Sequence, residues 1–136
     1  GQIGDESNAE GFSGPIIKTN TFLGYNELCR LKTQKSWIFK FDSRASQMLG
    51  KFVENGKVHV VAFDSPRSVA NKVKYAIENN LLGTFAWSLD TDDFNGDCEI
   101  DRTTYADFGN RKPQLTSFRD SPLLRTINDV VQFMTS

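Results

Sequence analysis

The residues best suited to chemistry crowd into one stretch, Asp90-Thr-Asp92-Asp93-Phe-Asn95-Gly96-Asp97-Cys98. Carboxylates at this density, beside an Asn-Gly pair, are the material of an oxygen-ligand cation site. The twelve-residue calcium loop sets a strict test, because its sixth position is glycine and its twelfth is a carboxylate binding through both oxygens. Setting Gly96 sixth puts Thr91 first and Arg102 twelfth, so that reading fails. A looser oxygen-ligand site stays open. The plainer alternative is a capped turn, in which the Asp side chains accept from backbone N–H groups.

The remaining reactive side chains are few. His59 is the single histidine, and Cys29 and Cys98 are the two cysteines. A zinc site wants four such ligands, so no zinc site is expected and no metal ligand is assigned, and no motif implies a cofactor. His59 stands within a strand pattern without a Cys, Ser or carboxylate at a telling spacing, which favours a packed ring over a catalytic one. The cysteines are open to two readings. A disulfide would close a long loop and stabilise by about 4 kcal/mol in the chain-entropy model, while two buried thiols would suit a reducing compartment. Trp37 and Trp87 are either core residues or stacking platforms, and Trp87 lies on an apolar run that ends in acids. That placement matters, because α/β folds put ligands at the C-terminal ends of their strands.

The elements that must position these residues fall into two groups. Residues 1–20 read as loop. Phe22 to Tyr25 reads as a short strand, Asn26 to Leu31 as one or two helical turns, and Trp37 to Phe41 as a strand. Gln47 to Val53 and Lys57 to Phe63 flank Glu54-Asn55-Gly56, a hairpin signal because both Asn and Gly tolerate positive φ. The pattern changes at Ser65-Pro66, a helix start with a serine cap and proline in the first turn. Val69, Val73, Ala76 and Ile77 make one apolar helical face, with Lys72 and Lys74 on the solvated side, and Asn79-Asn80 ends the helix. Gly83 to Leu89 alternates as a strand with Phe85, Trp87 and Leu89 on one face. Residues 91–120 are polar and irregular, containing Tyr105, Phe108 and Phe118. Ser121-Pro122 repeats the start signal, ahead of an amphipathic helix carrying Leu123, Leu124, Ile127, Val130, Val131 and Met134. Helix, strand, helix is the grammar of a parallel sheet buried on both faces. One such strand cannot make a sheet, so the second half is expected to be a piece of a larger α/β protein.

Bulk composition narrows the class. The 136 residues suffice for one modest domain. Eleven phenylalanines argue against disorder. A net charge of -1 with interspersed signs gives no surface for nucleic acid. No apolar run approaches the roughly 20 residues of a membrane span. The opening is polar and acidic rather than a signal peptide, and it lacks an initiator Met, so a processed or truncated start is expected. There is no Asn-x-Ser/Thr sequon to help with compartment.

Three motifs together resemble one family. Phe85-Ala-Trp-Ser-Leu-Asp-Thr-Asp-Asp-Phe-Asn-Gly-Asp-Cys98 resembles the last barrel strand of family 18 chitinases and chitinase-like lectins, with arthropod-type wording. Leu23-Gly-Tyr-Asn-Glu-Leu-Cys29 resembles an element of that family's small insertion domain, and Pro122-Leu-Leu-Arg-Thr-Ile-Asn128 the start of its final helix. The resemblance implies an α/β fold, the C-terminal third of a (β/α)8 TIM barrel with a small α+β insertion domain. Residues 21–64 would be part of that insertion, after a loop over 1–20, and residues 65–136 the last helix-strand-helix of the barrel. It further implies that Cys29 and Cys98 are disulfide-bonded and the protein secreted and extracellular. Family catalysis resides in an Asp-x-x-Asp-x-Asp-x-Glu motif whose Glu protonates the glycosidic oxygen, with the substrate's N-acetyl group as nucleophile. This sequence lacks that motif, so it supplies no catalytic residue. The implied contribution is binding of chitin or chito-oligosaccharide: Trp87 as apolar floor, Tyr25 and Glu27 lining the cleft, Glu27 bonding sugar hydroxyls. The implied partner is the missing N-terminal barrel portion. Met48-Leu49 and Val58-His59-Val60 stand where the family commonly has Tyr and Trp, and the link over 99–120 is longer than usual. These departures keep two other readings open, a non-catalytic lectin or growth-factor-like protein and a stand-alone structural α+β domain.

Overall fold

The computed structural model describes residues 3–6, 11–19, 21–117 and 119–136; residues 1, 2, 7–10 and 20 of the expected opening loop, and Phe118, lie outside the described residues. Helix α1 spans Tyr25–Leu31, strands β1, β2 and β3 span Ile38–Asp42, Gln47–Glu54 and Lys57–Phe63, α2 spans Pro66–Glu78 and α3 spans Pro122–Thr135. A single 3-10 turn, Leu89–Thr91, lies between the two long helices.

The strands form an antiparallel meander in the order β1-β2-β3. Asn55 and Gly56 join β2 to β3 with φ of 52° and 73°, the left-handed pair that matches the twist of a two-residue hairpin. One face of the sheet is aromatic. Phe52 is packed by Trp37 at 4.6 Å, His59 at 4.8 Å and Phe12 at 5.2 Å between ring centroids. His59 is thus a packed ring in a cluster worth more than its buried area alone. Gly50, opposite Phe39 across the β1–β2 ladder, leaves the space that this cluster uses. A Cβ there would lie 2.8 Å from the Phe39 ring and 3.1 Å from Trp37.

The second core lies between the long helices. Ala70, Val73, Tyr105 and Val130 are buried, and Val69, Ile77, Phe108, Leu115, Ile127 and Met134 pack around them. The apolar spacing on α2 and α3 produces this seam, and Ala70 lets α3 approach closely. Fully burying a valine such as Val73 or Val130 stabilises by about 1.5–3 kcal/mol. The Ser65 cap forms as its sequence suggests: Ser68 N donates to Ser65 Oγ at 3.3 Å, and Ser65 N donates to Ser68 Oγ at 2.9 Å.

Two expected strands are absent. Phe22-Leu23-Gly24 enters α1 as loop, because Glu27 reaches back to accept from Gly24 N at 2.8 Å and so fixes a helix start at Tyr25. Residues 83–88 join no ladder. A strand needs a hydrogen-bonded neighbour, and the three-stranded sheet does not include this stretch. Its side chains stay exposed instead: Leu82, Phe85, Trp87 and Leu89 all face solvent.

Candidate functional site

The acidic stretch folds into a turn between the 3-10 turn and α3. Its two buried carboxylates are spent on backbone. Asp92 accepts from Leu124 N at 2.9 Å and Leu123 N at 3.3 Å. It therefore caps α3, placing negative charge at the positive end of the helix. Ser121, the cap suggested by sequence, sits at φ 51° and makes no side-chain cap bond. Asp93 is fully buried and accepts from Cys98 N at 2.8 Å and Asp97 N at 2.9 Å. Asp90 pairs with the Ser88 hydroxyl, and Asp97 with Arg30 at 3.3 Å. The capped-turn reading thus holds for Asp92 and Asp93, while Asp90 and Asp97 are paired with side chains.

Cys98 closes this turn and is bonded to Cys29 of α1. Asp93 and the two cysteines form a group of metal-type ligands, with ligand atoms within 4.8 Å of one another. Sulfurs bonded to each other offer no thiolate, so this trio is a covalent staple and not a metal centre. Asn26 adds a second tie, donating from Nδ2 to the Asp90 carbonyl at 3.3 Å.

α1 brings Tyr25, Glu27 and Cys29 together. Glu27 is fully buried. One oxygen accepts from Ile16 N and Ile17 N, both at 2.6 Å, and the other from Gly24 N at 2.8 Å. The expected bond from Glu27 to a sugar hydroxyl is not one this geometry offers, since three backbone donors already hold the carboxylate out of solvent. Gly14 makes room for it, because a Cβ there would stand 2.6 Å from the carboxyl carbon. Tyr25 packs its ring at 6.3 Å from Phe63. Burial, and then the charges of Asp101, Asp93 and Asp92, push its hydroxyl well above the usual tyrosine range, so it stays protonated and able to donate.

Trp87 stands apart from this paired hub. It is 85% exposed and precedes the turn that packs on α1. Phe85, 84% exposed, lies 6.2 Å away, so two large rings sit side by side in solvent. The sequence points to Trp87 but gives no sign of the cap role of Asp92, which depends on a contact across 31 positions.

The chain is 44% identical to probable chitinase 2 of Drosophila melanogaster, over 95% of its own length and 28% of that protein's. It is 32% identical to human chitinase-3-like protein 2, over 69% of its length and 23% of the relative's. The second catalytic domain of the Ostrinia furnacalis group II chitinase, solved as a mutant with (NAG)5, superposes with a TM-score of 0.62 at 26% identity, covering 93% of this chain and 28% of that one. A Trichuris suis chitinase shares the fold at TM-score 0.69 and 20% identity, over 96% and 30% of the two chains. The chain thus spans under a third of the length of each of these proteins. Residues 2–92 match the profile of glycosyl hydrolases family 18, and the chain belongs to that family.

Proposed function

We propose that these residues are the C-terminal third of a secreted chitinase that hydrolyses β-1,4-linked N-acetylglucosamine polymers, and that they supply sugar-binding surface rather than the catalytic acid. In this reading residues 21–64 belong to the insertion domain of a (β/α)8 barrel, and residues 65–136 are its last helix, strand and helix. The observation that carries it is the exposed Phe85–Trp87 pair beside a turn whose acids are already committed. A contiguous apolar run left in water marks a surface that meets something else. Here Leu82 and Leu89 would meet neighbouring strands, and Trp87 would stack on the apolar C–H face of a sugar. Tyr25, kept protonated, would line the cleft from the insertion side as a donor. The buried staple between Cys29 and Cys98 supports a secreted location. No helix among the described residues is long and apolar enough to cross a membrane.

Titration of the intact protein with chitohexaose tests this. Trp87→Ala should weaken binding by about 1–3 kcal/mol, the range for losing a large aromatic contact. Unchanged binding with lowered stability would return Trp87 to a packing role. A second reading, a chitinase-like protein without hydrolysis, draws on the similarity to chitinase-3-like protein 2. A complete Asp-x-x-Asp-x-Asp-x-Glu motif on the fourth strand of the whole protein supports the enzyme. Loss of its Glu supports the binding protein.

A further inference from the structure

The long link between the acidic turn and α3 lies along α2. Arg67, Asn71 and Lys74 form one stripe on that helix, spaced so that they share a face. Asp107 docks on the stripe. Arg67 donates from Nε to Oδ2 at 2.8 Å and from Nη2 to Oδ1 at 2.9 Å, a two-pronged pair. Asn71 Nδ2 donates to Oδ2 at 2.8 Å, and Lys74 Nζ donates to the Asp107 carbonyl at 3.5 Å. The hydrogen bonds from Arg67 and then Asn71 hold the Asp107 carboxyl down at about 2.

Two of the same side chains also reach the sheet. The Arg67 guanidinium lies 3.9 Å from the centroid of the Phe41 ring on β1. Asn71 Nδ2 donates to Ser46 Oγ, in the β1–β2 turn, at 3.1 Å. Asn71 Oδ1 is buried and has no hydrogen-bond partner among the described residues. Turning the amide over would set that oxygen against the Asp107 carboxylate, so the junction keeps the orientation that supplies donors to both neighbours. Lys72 adds exposed contacts to Asp64 at 2.5 Å and Gln47 at 3.4 Å. Further ties between sheet half and helix half among the described residues cluster at α1 and its end: the disulfide, Asn26 with Asp90, Arg30 with Asp97 and Lys32 with Cys98. A body held at one place can rock about it. A second attachment, through α2, restrains its angle.

We propose that Arg67 and Asp107 form a positioning latch that fixes the angle of the three-stranded sheet against the α2–α3 pair, and thereby how the sheet side of the cleft meets long chito-oligosaccharides. The second clause rests on the carbohydrate reading above. Spin labels at Lys51 on β2 and Gln132 on α3 of the intact protein measure the angle without any ligand. The wild type should give one narrow distance distribution, Arg67→Ala and Asp107→Asn a broadened one, and Arg67→Lys an intermediate one, because lysine keeps the charge but not the fork. In parallel, Arg67→Ala should weaken chitohexaose about tenfold while leaving chitobiose within about twofold. An unbroadened distribution in both Arg67→Ala and Asp107→Asn overturns the latch. Equal weakening of both oligosaccharides overturns its role in length selection. A wild type that binds neither sugar overturns the carbohydrate reading, and the distance distributions still decide the latch.

Discussion

The hub made by α1 and residues 90–98 and the stretch from Leu81 to Leu89 are adjacent in sequence and opposite in character. In the hub, buried acids are paired: Glu27 holds three amides, Asp93 two, and Asp92 the start of α3. In the stretch, Leu82, Phe85 and Trp87 lie in water at 84% exposure or more. Polar groups are inside and satisfied, while apolar groups are outside and in solvent. A folded chain arranges the first for itself, because an unpaired buried carboxylate is costly. It does not arrange the second for its own stability. The contrast separates residues that hold the structure from exposed residues that the proposed reading gives to a ligand or neighbour.

Removing the staple gives the largest expected effect. Cys29→Ser with Cys98→Ser opens a closure of 69 positions and should lower unfolding free energy by about 4 kcal/mol, read from urea denaturation. Glu27→Ala comes next. It strands three backbone donors and should cost about 3 kcal/mol, with helix content near α1 lost first by hydrogen exchange. Asp92→Ala removes the cap of α3 and should cost about 1–2 kcal/mol. Acid titration probes the latch. The folded Asp107 carboxyl sits at about 2 against an ordinary 3.8, so its contribution is complete above 3.8 and fades as pH falls toward 2. Its side chain is 37% exposed, which solvent screening discounts to about 1 kcal/mol or less, and Asp107→Asn should flatten that part of the stability profile. Trp87→Ala should change stability least, by under about 0.5 kcal/mol, as expected for an exposed side chain.

Local chemistry was legible in the sequence. The Asn55-Gly56 turn, the Ser65-Pro66 start and the apolar period of α2 each needed only near neighbours and formed as read, while on α3 Ile127, Val130 and Met134 pack and Leu124 and Val131 stay exposed. The family resemblance paired Cys29 with Cys98, and the structure joins them. What depended on distant partners was hidden. Ser121-Pro122 marked the start of α3, but the capping group is Asp92, because Ser121 sits in the left-handed region. Gly83 to Leu89 alternates as a strand should, yet alternation cannot supply the neighbour that a ladder requires. Glu27 looked free for sugar because its spacing to Tyr25 and Cys29 says nothing of the loop at Ile16 and Ile17 folding over it. The polar link over 99–120 hid Tyr105 and Asp107, whose positions follow from packing against α2 and α3 rather than from any local pattern.

The separation of structural acids from an offered tryptophan is tested most directly by measuring Trp87→Ala and Asp92→Ala side by side in the intact protein, each for chitohexaose affinity and for thermal midpoint. Trp87→Ala should lose about 1–3 kcal/mol of binding with its midpoint nearly unchanged, while Asp92→Ala should lower the midpoint and keep its affinity once folded. The reverse pattern, with affinity following Asp92 and stability following Trp87, would contradict it.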